Sequence, residues 1–195
     1  MSGRTLGLIL AGGRSRRMGT DKAFVPLAGR LLIEHVIARL APQVDALVIS
    51  SNAPPEDFAA FHLPVLADIH GGFRGPLAGV HAALAAYPDD VVISVAVDLP
   101  LLPPDLVERL KQGWDGTRCR YIGQGAEHAL AILWPPRWAA ALEDYLRTAS
   151  RVSGWLAAQG EPVQLVPESM AALDTNLNTP ADLARIEALL AHPAR

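Results

Sequence analysis

The chain predicts an α/β fold built on a mostly parallel sheet, and three observations carry that expectation. Short runs rich in Val, Ile and Leu alternate with segments whose apolar residues recur at helical spacing. The short runs are apolar almost without interruption, as parallel strands covered on both faces are, and do not alternate as strands with one wet face do. The length, 195 residues, suits one hydrophobic core, which typically serves about 100–200 residues.

The elements come in order along the chain. Residues 5–10, 46–50, 64–67 and 91–97 read as strands forming the centre of the sheet, bounded by turn-forming residues. Residues 31–40, 77–87 and 104–111 read as helices interleaved with them. Pro76 stands at a first-turn position where its missing N–H costs nothing. The second half is less regular. Strands are expected over 120–122, 129–134 and 163–166 and helices over 138–146 and 180–191, the strands as antiparallel additions at the edge of the sheet. The last helix is the best marked: Thr179 supplies an N-cap, Pro180 the first turn and Asp182 a carboxylate at the positive end of the dipole. With no repeat, linker or low-complexity tract, residues 1–195 are expected to form a single domain. About residues 1–100 would be its nucleotide half, and about 101–195 would complete one continuous fold.

Composition narrows the function classes. Half the residues are hydrophobic and 19% are charged, which argues for a packed globular chain. The formal net charge of −3 gives no bulk attraction to nucleic acid, so any anion has to be bound locally. No run approaches the roughly 18–20 apolar residues of a membrane span, and the N-terminal apolar run is too short for a secretion signal. One cysteine, Cys119, excludes an internal disulfide, as a reducing cytoplasm allows. The histidines show no metal-ligand spacing.

Positive charge is concentrated in one place. Directly after the first strand runs Leu10-Ala11-Gly12-Gly13-Arg14-Ser15-Arg16-Arg17-Met18-Gly19-Thr20-Asp21-Lys22. Adjacent glycines let backbone N–H groups approach a phosphate or a base edge without a Cβ between them, and Arg and Lys add charge-assisted bonds. The segment is neither a Walker A loop, which closes on Gly-Lys-Ser/Thr, nor the dinucleotide Gly-x-Gly-x-x-Gly.

This loop closely resembles the Leu-Ala-Gly-Gly-x-Ser-x-Arg-Met-Gly-x-Asp-Lys pattern of the molybdenum cofactor guanylyltransferases. Agreement continues through Asn52, Asp68, Gly75-Pro76-Leu77-Ala78-Gly79, Val97-Asp98-Leu99-Pro100 and Asn176-Leu177-Asn178-Thr179-Pro180, in order and in approximate spacing, over about residues 5–190. The resemblance implies a Rossmann-like, doubly wound fold with helices on both faces. It implies an enzyme that moves GMP from GTP to the terminal phosphate of molybdopterin, releasing pyrophosphate, with Mg²⁺ as cofactor. Lys22, Asp98 and Arg17 would be catalytic, Asp98 also holding the metal. Leu10, Ala11, Gly12, Gly13, Asn52 and Asp68 would bind GTP together with Lys22 and Asp98. Arg151, Asn176 and Asn178 would meet the acceptor. A cytoplasmic protein with GTP and molybdopterin as partners, no nucleic acid and no membrane, is expected, with room for transient contacts with other molybdenum-cofactor proteins.

Two positions depart from the family pattern: His128 is followed by Ala129 where a His-Pro pair is frequent, and Val97 stands where cysteine is common. Neither removes a charge. Rival functions are a CTP-dependent molybdopterin cytidylyltransferase, another small-molecule nucleotidyltransferase such as a sugar-phosphate enzyme, and a non-catalytic GTP- or cofactor-binding module. The Gly12-Gly13 pair disfavours the other transferases, since cytidylyl relatives tend to carry Leu-Ala-Ala-Gly and sugar-phosphate enzymes Gly-x-Gly-Thr-Arg. The joint presence of Lys22 and Asp98 disfavours the third.

Overall fold

Strand β1 (Thr5–Leu10) is the axis of the molecule; after it come a small hairpin of β2 (Pro26–Leu27) and β3 (Arg30–Leu31), helix α1 (Leu32–Leu40), β4 (Ala46–Ser50) and β5 (Val65–Leu66). Helix α2 (Pro76–Ala86), β6 (Val91–Ala96), α3 (Leu106–Lys111), β7 (Arg120–Gly123), β8 (Ala129–Trp134), α4 (Ala139–Leu146), α5 (Val152–Ala158), β9 (Val163–Leu165) and α6 (Pro180–Ala191) complete the chain. The computed structural model describes residues 3–12, 21–69, 75–123, 129–158, 163–165, 177 and 179–191.

Seven strands form the main sheet in the order β5-β4-β1-β6-β8-β7-β9. β1 pairs in parallel with β4 and with β6, and β4 in parallel with β5. The reversed strand is β8, antiparallel to both β6 and β7, while β9 runs parallel to β7. The antiparallel addition expected in the second half is therefore present, but it lies inside the sheet and not at its edge. Local pattern could not show this, because β8 is buried between two neighbours and reads as apolar as a parallel strand.

Helices cover both faces. On one, Ile9, Ile49, Ile93 and Val95 pack with Ile33, Val36 and Leu40 of α1 and with Leu106 and Leu110 of α3. On the other, Leu6, Leu8, Val48 and Val92 pack with Leu77, Val80 and Leu84 of α2, Leu142 and Leu146 of α4, and Trp155 of α5. The alternation along β1, Leu6 and Leu8 one way and Ile9 the other, is the period-two geometry of a strand with two buried faces. A third cluster joins Val25, Leu27 and Leu32 to Ile186 of α6 and to Leu177. Cys119 is buried, and its thiol is pushed far up by that burial, which leaves it an inert packing group.

Helix α2 lies unusually close to the sheet. A Cβ built on Gly79 would collide with Ser50 Oγ and fall 3.0 Å from Ser50 Cβ and 3.2 Å from Leu10 Cδ2, so glycine here sets the distance between α2 and the ends of β1 and β4. Gly79→Ala is expected to cost about 1–3 kcal/mol of stability through overpacking. Ser50→Ala in the same chain should recover part of the loss, and thermal unfolding of the two variants measures both. An unchanged melting temperature in the single variant would show that α2 can move away freely.

Candidate active site

Parallel pairing brings several strand ends to one place. In register, Leu10 lies beside Ser50 on one side and Ala96 on the other, and Ser50 lies beside Leu66. The four strands thus finish in one row, and the residues directly after each of them lie along the same edge. Hydrogen bonds continue one residue past the row: Ala11 N–H donates to the Ser50 carbonyl at 2.9 Å, Val97 N–H to the Leu10 carbonyl at 3.2 Å, and Ser51 N–H to the Leu66 carbonyl at 3.0 Å. The chain leaves β1 toward β4 on one side and returns through α2 to β6 on the other. The site therefore lies at a reversal of strand order, where open α/β sheets bind their ligands.

Two charged groups meet at this reversal. Lys22 Nζ stands 2.9 Å from Asp98 Oδ2, with the side chains 16% and 22% exposed. Both can therefore be reached from outside. Asp98 stands two residues beyond β6, and its backbone carbonyl accepts from Leu177 N–H at 3.2 Å, which ties the segment before α6 to it. Lys22 opens a single 3-10 turn, Lys22–Phe24, whose N-cap is Asp21: the Asp21 carboxylate accepts from Ala23 N–H at 3.0 Å. Burial, reinforced by repulsion from the nearby Asp57 carboxylate, raises the Asp21 carboxyl above the ordinary carboxylate range, although the Ala23 N–H pulls the other way.

Asn52 and Asp68 form a reciprocal pair. The Asn52 side-chain amide donates to Asp68 Oδ2 at 2.7 Å, and Asp68 N–H donates back to Asn52 Oδ1 at 2.9 Å. This arrangement holds both side chains at the mouth of β4 and β5, so Asn52 is not merely capping the turn before Pro54-Pro55. Gly12 is open: a Cβ there would meet Ser50 O and Ser51 Cα at 3.8 Å, an ordinary contact. Among the described residues, a methyl group at Gly12 would meet no tighter contact than this.

Gly75 opens α2 with φ +74°, a conformation that glycine adopts without strain. The position of a Cβ on Gly75 lies 3.8 Å from the Ser150 carbonyl, so the turn into α5 approaches the start of α2. The next residue, Arg151, is exposed on that turn. Of the expected site residues, Leu10, Ala11, Gly12, Lys22, Asn52, Asp68 and Asp98 share the edge, and Arg151 follows Ser150, whose carbonyl faces the start of α2. Gly13, Arg17, Asn176 and Asn178 lie outside the described residues, as do Arg14, Arg16, Arg74 and His128. Sequence reasoning passes over the cap made by Asp21 and the packing of Phe24 on Phe58 and Phe61 beneath it. An aspartate, a residue type that favours N-caps, directly before Lys22 is the available sign of the cap.

Comparison with known proteins agrees with this geometry. The MobA-like NTP transferase domain matches residues 7–163. The molybdenum cofactor guanylyltransferase of Cereibacter sphaeroides strain ATCC 17023 is 45% identical over 192 residues, covering 96% of this chain and 97% of its own. That of Mesorhizobium japonicum is 39% identical, covering 94% and 95%. Among solved structures, molybdopterin-guanine dinucleotide biosynthesis protein A from Archaeoglobus fulgidus superposes with a TM-score of 0.77 at 26% identity, covering 95% of this chain and 98% of that one. A nucleotidyl transferase from Methanothermobacter thermautotroptrophicus shares the fold, with a TM-score of 0.78 at 17% identity, covering 99% of this chain and 100% of that one.

Proposed function

The chain belongs to the family of MobA-like NTP transferase domains, and we propose that it is a molybdenum cofactor guanylyltransferase that transfers GMP from GTP to the terminal phosphate of molybdopterin. The observation that carries this reading is the Lys22–Asp98 pair at 2.9 Å on the carboxyl edge of the parallel sheet, directly across from the end of β1. A cation for phosphates and a carboxylate for a metal stand together there, at the point where a nucleotide crosses the sheet.

The reaction joins an oxygen of the acceptor's phosphate to the α-phosphorus of GTP and breaks the bond to the β-phosphate bridging oxygen, so pyrophosphate leaves with the electron pair. An acceptor phosphate is already an anion, so no strong base is needed; catalysis rests on alignment and charge stabilisation. Lys22 neutralises the triphosphate, and Arg17 is assigned the charge that develops on the leaving pyrophosphate. Gly12, with its neighbours Leu10, Ala11 and Gly13, gives the nucleotide a close approach to backbone N–H groups. Asn52 and Asp68, locked together, present fixed polar atoms to the guanosine end. Arg151, Asn176 and Asn178 are assigned to the acceptor.

Mg²⁺ suits the residues present. It is commonly held through one or two carboxylates with the substrate's phosphates and water completing an octahedron, and Asp98 is one such partly exposed carboxylate. Among the described residues no group of three potential metal ligands exists. Bound at Asp98, Mg²⁺ would supply Lewis-acid polarisation of phosphate oxygens. No described helix is long and apolar enough to cross a membrane. We place the reaction in the cytoplasm, in keeping with a lone buried thiol.

A nucleotide panel with molybdopterin as acceptor tests the assignment: pyrophosphate should be released with GTP in preference to CTP, ATP and UTP, and a preference for CTP would overturn it. Gly12→Ala refines the same test. Since the methyl would make only ordinary contacts with the described residues, the variant should melt like the parent and lose about 10–200-fold in kcat/KM for GTP, with a smaller loss for the pyrimidine CTP. A parental ratio of GTP to CTP would place base recognition away from Gly12.

A further inference from the structure

Lys22 is a long, flexible side chain on a three-residue turn, and a turn that short has few bonds of its own with which to fix where the lysine starts. Phe24 N–H donates to the Asp21 carbonyl at 3.0 Å and Val25 N–H to the Lys22 carbonyl at 3.1 Å. The bond that closes the front of the turn comes from a side chain, Asp21 Oδ1 accepting from Ala23 N–H at 3.0 Å. Ala23 is fully buried in the core, and the Phe24 ring lies 5.2 Å from Phe58 and 6.4 Å from Phe61, centroid to centroid. The residue on one side of Lys22 thus caps the turn, and the residues on the other side anchor it to the 3-10 segment Pro55–Phe61, which begins shortly after Asn52.

We propose that Asp21 is a positioning residue for the triphosphate: by capping the turn against the buried Ala23 it sets the backbone from which Lys22 reaches across to Asp98. This rests on the assignment of Lys22 to the triphosphate. Asp21 touches neither substrate nor reacting atoms in this scheme. What it does to the nucleotide passes through Lys22, so its influence extends to the β- and γ-phosphates and not to the base. The useful property of aspartate here is an acceptor oxygen at the N-cap, which asparagine also supplies.

Titration calorimetry on the full chain with GTP and with GMP separates this role from a general loosening of the site. Asp21→Ala should weaken GTP roughly 5–10-fold, the range of one lost hydrogen bond, and leave GMP unchanged within about twofold. Asp21→Asn should retain nearly parental affinity for both. In a Lys22→Ala background Asp21→Ala should add no further loss of GTP affinity, as expected of two residues acting through one contact. Equal losses of GTP and GMP, an Asp21→Asn variant as damaged as Asp21→Ala, or additive losses in the double variant would each overturn the proposal. If Lys22→Ala binds GTP like the parent, the assignment of Lys22 to the triphosphate fails and Asp21 has nothing to position. If Lys22→Ala is impaired and Asp21→Ala is not, only the positioning role falls.

Discussion

Asp98→Ala is expected to leave a folded protein whose transfer rate falls by at least about 10²-fold, because the carboxylate assigned to hold Mg²⁺ against the phosphates is gone. The fold should survive because the contribution of Asp98 to the surrounding chain is made by its backbone carbonyl, to which Leu177 N–H donates at 3.2 Å, and this is untouched by the substitution. The ammonium of Lys22 loses this carboxylate but is 16% exposed and can turn to water, so the melting temperature should drop only modestly. Asp98→Asn keeps the shape and removes the charge, and should be as inactive as the alanine variant. Initial rates of pyrophosphate release with GTP, molybdopterin and saturating magnesium measure the loss, with circular dichroism as the control for folding. Near-normal turnover that still required magnesium would mean that another carboxylate carries the metal.

Lys22→Ala is expected to damage both binding and turnover of GTP. A charge-assisted hydrogen bond is worth about 1.5–3 kcal/mol, so kcat/KM for GTP should fall roughly 10–150-fold, through both a raised KM and a lowered kcat. Lys22→Arg should restore only part of it. A planar guanidinium on a longer stem does not reproduce a compact ammonium placed 2.9 Å from Asp98, and it prefers to engage that carboxylate with two nitrogens. Steady-state kinetics with GTP varied at fixed acceptor separates the two parameters. Parental kinetics in Lys22→Ala would leave the loop after β1 with the base alone.

The parts of the fold legible in the sequence are those where a local pattern and its burial coincide. β1, β4 and β8 occupy the expected residues because each is a continuous apolar run with both faces covered, and α6 begins at Pro180 because Thr179 and Asp182 form a reciprocal cap, Asp182 N–H donating to Thr179 Oγ1 at 3.2 Å. Helix α3 starts at Leu106, two residues later than expected, after a turn in which Leu106 N–H donates to the Pro103 carbonyl. Helix α5 escapes local reading: it has seven residues and contains Gly154, a poor helix former against which the Tyr145 hydroxyl lies closely. The β2–β3 hairpin escapes it because its turn, Ala28-Gly29, has both residues at positive φ without the Asn or Asp that usually announces such a turn. The position of β8 within the sheet depends on pairing between distant segments, which periodicity does not encode.

The site divides along the same line. That Lys22 and Asp98 are site candidates is legible from a loop after one strand and an acid after another; that they touch depends on the parallel pairing of β1 with β6. The mutual hydrogen bonds of Asn52 and Asp68 likewise require β4 and β5 to finish side by side. The Asp21 cap is within reach of local reasoning, but the buried Ala23 that gives it purpose is not.

The place of β1 between β4 and β6 also governs how the protein comes into being. β1 is made long before its second flank, which is closed only by Val91–Ala96. Until the ribosome has passed Ala96, one side of β1 offers its backbone groups to water or to any passing strand, and the pairing that ends this exposure is of long range and correspondingly slow. A chain released before that point carries a bare, apolar, central strand as its edge, and self-association is the failure to which such a fragment is prone.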